Sequence, residues 1–87
     1  MNIESVLERF IIDDLIIGVS RNKIDPNESL IANGVIDSLA ILQLIAFIEE
    51  RFGVTIDDSE VTPDNFQTIN VMKALIEEKL LEDGRDG

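Results

Sequence analysis

Apolar residues recur at helical spacing in the first part of the chain and again near its centre. Residues 3–17 alternate apolar and charged positions with a helical period, which predicts an amphipathic helix ended by Gly18. Residues 38–52 predict a second helix that stops at Gly53. The apolar surface of this second helix is wider than a single core-facing stripe requires.

The C-terminal part of the chain predicts one short and one longer helix. Thr62-Pro63 is a helix-start signal because proline is tolerated in the first turn, and this short helix is expected to end near Phe66. Thr68 then caps a last helix that runs to about Leu81, with apolar residues at helical spacing.

A long segment without a helical period, residues 19–37, separates the first two helices. Loops of about nineteen residues are uncommon in small domains and are usually functional or internally packed. Here residues 25–28 predict a one-turn helix start, and Asn33-Gly34 predicts a turn that needs a positive φ. Three apolar side chains are expected to turn into the core: Ile24, Leu30 and Ile36.

Together these elements predict an all-α fold, a small four-helix bundle of three longer helices and one short helix with a long first loop. The chain has 87 residues and a hydrophobic fraction of 45%. One domain over residues 1–82 is expected, which buries about 60–65% of its unfolded surface. Residues 83–87 are polar and are expected to form a disordered tail.

The composition removes several classes of function. The chain has no cysteine and no histidine, so it brings neither a thiol nucleophile nor the commonest general base and metal ligand. Tryptophan and tyrosine are absent too, which argues against an aromatic nucleic-acid platform. The formal net charge of −11 repels nucleic acid and anionic membranes, and it attracts partners with basic patches.

Targeting signals are not found in the sequence. The first ten residues lack a basic region followed by an apolar run, so they do not form a signal peptide. No apolar run approaches the roughly 18 residues that a membrane helix needs. We therefore expect a monomeric, cytoplasmic domain without membrane insertion and without nucleic-acid partners.

Ser38 stands at the start of the second predicted helix, directly after Asp37 and a glycine turn. Aspartate and serine are both preferred N-caps, so the pair suits any helix start. A helix N-terminus also presents unpaired N–H groups and partial positive charge, which favour an attached anion by roughly 0.3–1 kcal/mol. Capping and a phosphate ester on Ser38 are therefore both open interpretations.

The segment "GVIDSL", followed by an amphipathic helix and preceded by a long loop in a short acidic chain, resembles the acyl carrier protein family. The resemblance covers nearly the whole chain. It implies that Ser38 carries 4′-phosphopantetheine, attached covalently from coenzyme A, and that acyl or aminoacyl groups are held on its thiol as thioesters. The chain would then be a carrier and not an enzyme.

The resemblance also implies partners and a pathway. The expected partners are a phosphopantetheinyl transferase, an acyl- or aminoacyl-loading ligase, and a downstream synthase or transferase. The expected pathway is of the fatty acid-like, polyketide or nonribosomal peptide type.

Residues around Ser38 receive roles from the same resemblance. Asp37 would orient the transferase and magnesium-bound coenzyme A, or it would only cap the helix. The positions that match the family's apolar and acidic recognition sites are Leu39, Leu42, Ala46, Glu49 and Glu50. The alternatives are core packing for the leucines and a solvated helix end for the glutamates. We expect recognition for Leu39 and Glu49, and core packing for Leu42.

The sequence departs from the fatty-acid carriers at several positions. Ala40 and Gln43 stand where those carriers usually have acids, which argues against standard fatty-acid synthase partners. The turn "GVIDS" is one residue longer than the common Gly-x-Asp-Ser form, and "TPDNFQTI" is also longer than its counterpart. Both features resemble D-alanyl carriers and stand-alone aminoacyl or peptidyl carriers, whose cargo is often an amino acid or a small acid.

Two other classes of function stay open. The chain could be an unmodified acidic interaction module with a carrier-like fold, whose partner binding would survive Ser38→Ala. Asp57, Asp58 and Glu60 could supply acid and base to an enzyme or bind calcium weakly, although a solvated cluster at a helix start is the simpler interpretation.

Overall fold

The computed structural model describes residues 2–16 and 23–86, with side chains as far as Glu82. Within these ranges the backbone forms helices and no strand. The elements are α1 (Ile3–Phe10) with a π-helical continuation (Ile11–Leu15), α2 (Ser38–Phe52), a 3-10 turn (Asp58–Glu60), α3 (Pro63–Phe66) and α4 (Ile69–Asp86). The predicted all-α bundle is confirmed. None of the helices in this part of the chain combines the length and apolarity that a membrane crossing demands.

The first predicted helix consists of an α-helical part and a π-helical part. Asn2 caps it by accepting a backbone N–H of the first turn at 3.2 Å. After Phe10 the backbone widens, and the Ile16 N–H donates to the Ile11 carbonyl (2.9 Å) in the spacing of a π-helix. The predicted helix is therefore present as far as Leu15, but its second part is π-helical, which an apolar period does not distinguish from an α-helix. The end predicted at Gly18 lies outside the described residues.

The loop before α2 packs on the core, as predicted. Gly34 turns with a φ of 74°. The acid predicted to cap a helix start at 25–28 does cap a single turn, because the Asp25 carboxylate accepts the Asn27 N–H (2.9 Å) and the Asp25 carbonyl accepts the Glu28 N–H (2.9 Å), but no helix continues from it. The three side chains expected in the core are all buried: Ile24, Leu30 and Ile36.

Four hydrogen bonds tie this loop to the junction between α3 and α4. Gln67 accepts a loop N–H through its carbonyl (2.8 Å) and donates through its side chain to Ser29 (2.9 Å). Asn70 donates its N–H to the Pro26 carbonyl (3.1 Å) and its side-chain amide to Asn27 (2.7 Å). The loop therefore fixes where the N-terminus of α2 stands relative to α3.

The second helix begins and ends where the sequence predicts. Gly53 closes it with a φ of 70°, and the Gly53 N–H donates to the Glu49 carbonyl (3.0 Å). The buried face of α2 has one residue per turn: Ala40, Leu44 and Ile48. This face belongs to one core with buried residues of the other helices: Leu7, Ile11, Phe66, Ile69, Met72 and Ile76.

The last helix starts at its predicted cap. The Thr68 hydroxyl accepts the Val71 N–H at 3.1 Å. The helix continues to Asp86, past the end predicted near Leu81. No proline interrupts this extension, and a glycine within it lowers helix propensity by only about 1 kcal/mol. The disorder expected for residues 83–87 stays a prediction.

Candidate functional site

The start of α2 is capped by Asp37 and not by Ser38. Asp37 has extended backbone angles (φ −116°, ψ −170°), and its carboxylate accepts the Ala40 N–H at 2.9 Å. This is the geometry of an N-cap residue. Ser38 is the first helical residue. The capping interpretation of the Asp-Ser pair therefore applies to the aspartate.

The Ser38 side chain is exposed, and its hydroxyl makes no hydrogen bond with the described residues. The hydroxyl stands on the first turn of a helix of 15 residues, where the N–H groups carry partial positive charge. No acidic side chain lies in that first turn. A free hydroxyl in this position suits an attached phosphodiester.

A cleft of about 280 Å³ opens beside Ser38. It lies between the first turns of α2 and the segment that leads into α3. The Asn65 side chain holds that segment by donating to the Glu60 carbonyl at 2.8 Å. The cleft is mainly apolar, and its lining residues are Ser38, Ile41, Leu42, Val61, Thr62 and Pro63.

Two leucines beside Ser38 face solvent. Leu39 is 64% exposed and Leu42 is 60% exposed. The expectation that Leu42 packs in the core is therefore wrong. Leu42 is two residues from Ala40 and from Leu44, which places it about 200° around the helix from the buried face. Because α2 is apolar on most of its circumference, its sequence pattern did not show which leucines are buried.

The other predicted recognition residues differ in their surroundings. Ala46 and Glu50 are exposed. Glu49 is half-buried, and its carboxylate accepts the Ile56 N–H at 2.9 Å. Glu49 therefore holds the segment that follows α2 against the helix. The recognition roles of these residues stay predictions.

The carboxylates near residue 60 have a structural use. Asp57 and Glu60 form a reciprocal capping box around the 3-10 turn. The Glu60 carboxylate also pairs with Lys79 of α4 at 2.6 Å. This hydrogen bond, with help from the Asp57 N–H, holds the pKa of Glu60 below its usual value, and the same pair raises the pKa of Lys79. In the part of the chain that the structure describes, no group of acids has a metal-binding arrangement.

The sequence did not indicate the wall of the cleft. Thr62 and Pro63 were expected only to start a short helix, and no role was predicted for Ile41 or Val61. Val61, Thr62 and Pro63 lie more than twenty residues from Ser38 in the sequence, and a local pattern does not contain such a distant approach. The sequence could have indicated the side of the cleft that α2 forms, because the spacing of Ser38, Ile41 and Leu42 places these residues on adjacent turns.

Comparisons with known proteins indicate the family of the chain. A family model described as "Phosphopantetheine attachment site" matches residues 15–76. Proteins described as "Acyl carrier protein" from two strains of Nitratidesulfovibrio vulgaris, DP4 and DSM 19637 / Miyazaki F, are 38% and 37% identical to the chain over 60 residues. Each alignment covers 69% of this chain and 76% of the relative.

One chain of a solved structure described as "Crystal structure of FAD-dependent dehydrogenase" has a similar fold. Its TM-score is 0.71 and its sequence identity is 34%, over 80% of this chain and 97% of that chain. The chain in the solved structure is therefore the shorter of the two, because the match covers nearly all of it but only four fifths of the present chain.

Proposed function

The chain belongs to the acyl carrier protein family, and on that premise we propose that Ser38 is the residue to which 4′-phosphopantetheine is attached. A member of this family is a phosphopantetheine-bearing carrier and not an enzyme. The arm supplies the thiol that the chain itself lacks, and cargo is held there as a thioester.

The observation that carries the proposal is the division of roles between Asp37 and Ser38. Asp37 caps α2, so Ser38 is not needed to satisfy the helix N-terminus. The Ser38 hydroxyl is exposed and next to a cleft with room for a bound group. The partial positive charge of the first turn favours the phosphodiester by roughly 0.3–1 kcal/mol.

We also propose that Asp37 helps the transferase to load the arm. Its carboxylate is fixed by the Ala40 N–H and stays exposed at the residue before Ser38. A carboxylate held in this place is a ligand that a magnesium ion accompanying coenzyme A prefers. Capping and orienting are compatible, because the cap uses one carboxylate oxygen.

The proposed cargo is an acyl or aminoacyl group, delivered by a separate ligase in the cytoplasm. The exposed neutral residue Gln43 and the long segment before α4 favour an amino acid or a small acid over a fatty acyl chain, whereas Ala40 is buried in the core and carries no such argument. The likeness to a chain in a structure described as an FAD-dependent dehydrogenase adds a flavin-dependent dehydrogenase to the proposed downstream enzymes. The pathway would then include oxidation of the carried group.

The test is the intact mass of the protein after incubation with coenzyme A, magnesium and a broad-specificity phosphopantetheinyl transferase. We expect the wild type to gain one phosphopantetheine and Ser38→Ala to gain none. Ser59→Ala is the matched control, because Ser59 is also an exposed serine at a helical turn. A folded wild type that gains no mass would favour an unmodified interaction module, and modified Ser38→Ala protein would refute the site.

A further inference from the structure

Asn33 is followed by Gly34, and it is the only asparagine of the chain with a glycine after it. The side-chain carbonyl carbon of an asparagine can be attacked by the backbone nitrogen of the next residue, and a Cβ on that residue hinders the attack. Glycine has no Cβ. Both residues are exposed, and a Cβ placed on Gly34 would meet no atom of a more distant residue within 4 Å. The turn therefore leaves room for a reaction between the Gly34 nitrogen and the Asn33 side chain.

Backbone hydrogen bonds close residues 30–36 into a compact loop, which we call the Asn33 loop. The Gly34 N–H donates to the Ile31 carbonyl at 3.1 Å. The Leu30 carbonyl accepts two N–H groups from the far side of the loop, at 2.8 and 3.3 Å. Leu30 and Ile36, at the two ends, are buried in the core. The length of backbone between these ends is therefore fixed by the fold.

The Asn33 side chain has an acidic neighbour. Its amide nitrogen donates to the Glu28 carboxylate at 3.4 Å, a long and therefore weak hydrogen bond. A carboxylate in place of the amide would face the Glu28 carboxylate, and two negative charges at this distance repel each other. Conversion of Asn33 to an acid therefore removes a donor and adds a repulsion.

We propose that Asn33 is a site of spontaneous modification, where deamidation through a cyclic imide with Gly34 gives an isoaspartate that disrupts the Asn33 loop and slows the loading of Ser38. In the first step the Gly34 nitrogen bonds to the Asn33 Cγ, the Cγ–Nδ2 bond breaks, and ammonia leaves with the proton of the Gly34 N–H. Water then opens the imide. Attack at Cγ gives aspartate with the original backbone, and attack at the backbone carbonyl carbon gives isoaspartate, whose backbone runs through Cβ and Cγ.

The two products differ in what they do to the loop. Aspartate adds a charge but keeps the backbone length. Isoaspartate adds one methylene carbon to the backbone, about 1.5 Å of extra length, between the buried ends at Leu30 and Ile36. Asp37 and Ser38 follow Ile36 directly, so the displacement reaches the cap of α2 and the attachment residue. The effect on loading rests on the proposed attachment of the arm to Ser38, whereas the deamidation does not.

The fold slows the reaction. The Gly34 N–H must leave the Ile31 carbonyl before the nitrogen can bond to Asn33, so the turn has to open first. Unfolding the chain in urea removes this requirement. The rate of deamidation at Asn33 should therefore be higher in urea than in the folded protein.

The first part of the experiment ages the unmodified protein in a mildly alkaline buffer and locates the products by mass spectrometry. Trypsin places Asn27 and Asn33 on one peptide, residues 24–51, so Asn27 is an internal control with the same history. Electron-transfer fragmentation distinguishes isoaspartate from aspartate, and an unaged sample corrects for reaction during digestion. We expect Asn33 to lose its amide about tenfold faster than Asn27, since glycine lacks the Cβ that hinders ring closure. Asn33→Gln should form no product at this position, because glutamine would have to close a larger ring.

The second part measures loading and stability of the aged protein. Anion exchange isolates the acidic fraction, since either product adds one negative charge. With coenzyme A and one broad-specificity phosphopantetheinyl transferase, we expect the isoaspartyl share of this fraction to be loaded with a kcat/KM about tenfold below that of fresh protein. Its urea midpoint should also be lower. Asn33→Asp carries the charge without the extra methylene and should be loaded within about threefold of fresh wild type. Aged and fresh Asn33→Gln should behave alike.

Three results would overturn the inference. Equal amide loss at Asn27 and Asn33 in the folded protein, or an intact Asn33 there after the urea-unfolded chain has reacted, would refute the site. Isoaspartyl protein that matches Asn33→Asp in both loading and urea midpoint would refute the disruption of the loop. Failure of the proposed function is distinguishable, because fresh wild type would then not be loaded while the product analysis and the urea midpoints still decide on the deamidation and on the loop.

Discussion

The Asp37 carboxylate accepts the Ala40 N–H at 2.9 Å. Ser38, whose hydroxyl is free, lies between these two residues in the sequence. A serine at a helix start usually has to satisfy such an N–H itself. Here the aspartate satisfies it, and Ser38 is left exposed on the first turn of α2. The residue before Ser38 therefore stabilises the helix that presents the hydroxyl.

Asp37→Ala should lower the free energy of unfolding by about 1 kcal/mol, because an N-cap is lost. The free energy of unfolding of Asp37→Asn should stay within a few tenths of a kcal/mol of the wild-type value, since asparagine is an equally good cap. Urea unfolding followed by the far-ultraviolet circular dichroism signal measures both values. Equal stability of the alanine variant and wild type would show that the 2.9 Å hydrogen bond does not stabilise the fold.

The same pair of variants separates capping from the proposed orienting role. If the charge of Asp37 orients magnesium-bound coenzyme A, Asp37→Asn should lower kcat/KM for arm transfer about tenfold, equivalent to about 1.4 kcal/mol, while the fold is retained. A folded Asp37→Asn protein that is loaded at the wild-type rate would leave capping as the role of Asp37.

Glu49 is expected to stabilise the fold through its contact with the segment after α2. Its carboxylate accepts the Ile56 N–H at 2.9 Å, and Ile56 is buried. Glu49→Ala leaves this N–H without its partner, so we expect a loss of about 1–3 kcal/mol in urea unfolding. Glu50→Ala removes an exposed neighbour and should change stability by less than about 0.5 kcal/mol.

Glu49→Gln tests the recognition role that the family resemblance implies. Glutamine keeps an oxygen that can accept the Ile56 N–H but removes the negative charge. Weaker docking of this folded variant to the transferase would support recognition. Unchanged docking, with Glu49→Ala destabilised, would assign Glu49 to the fold alone.

The Glu60–Lys79 pair predicts a pH dependence of stability. The hydrogen bond from Lys79 lowers the pKa of Glu60 below its ordinary value of 4.5, so its contribution is present above pH 4.5 and is lost as the pH falls through the folded-state pKa. The pKa of Lys79 is raised above 10.5 by the same pair. The contribution of Lys79 to stability is therefore present below pH 10.5 and is lost as the pH rises through the folded-state pKa. Between about pH 6 and pH 9 the stabilisation should be constant.

Glu60→Gln should therefore cost about 0.2–1 kcal/mol at neutral pH, and the difference from wild type should shrink in acid. Chemical unfolding at several pH values measures this difference. Asp58→Asn is the control, because Asp58 lies in the same turn but takes no part in the ion pair. A cost for Glu60→Gln that persists unchanged in strong acid would contradict the account.

Local signals in the sequence determined which parts of the fold could be predicted. The bounds of α2 follow from the Asp-Ser start and from Gly53, whose φ of 70° favours glycine. The turn at Gly34 and the start of α3 at Pro63 rest on similarly local chemistry. These elements were predicted because each is encoded within a few neighbouring residues.

Features that depend on distant contacts could not be predicted in this way. The exposure of Leu42 is set by which face of α2 meets the core, and α2 is apolar on most of its circumference. The cleft beside Ser38 brings the start of α2 together with residues 61–63, which are distant in the sequence. The π-helical turn after Phe10 changes the hydrogen-bond spacing without changing the apolar pattern.

The central claim is that the arm is attached to Ser38, and its most direct test is to locate the arm within the modified chain. Trypsin cleaves after Lys23 and Arg51, and no lysine or arginine lies between them, so Ser38 falls on the peptide 24–51 with Ser29. Fragmentation of this peptide by tandem mass spectrometry assigns the modified residue. We predict phosphopantetheine on Ser38; its location on Ser29, or on the separate peptide that contains Ser59, would contradict the account.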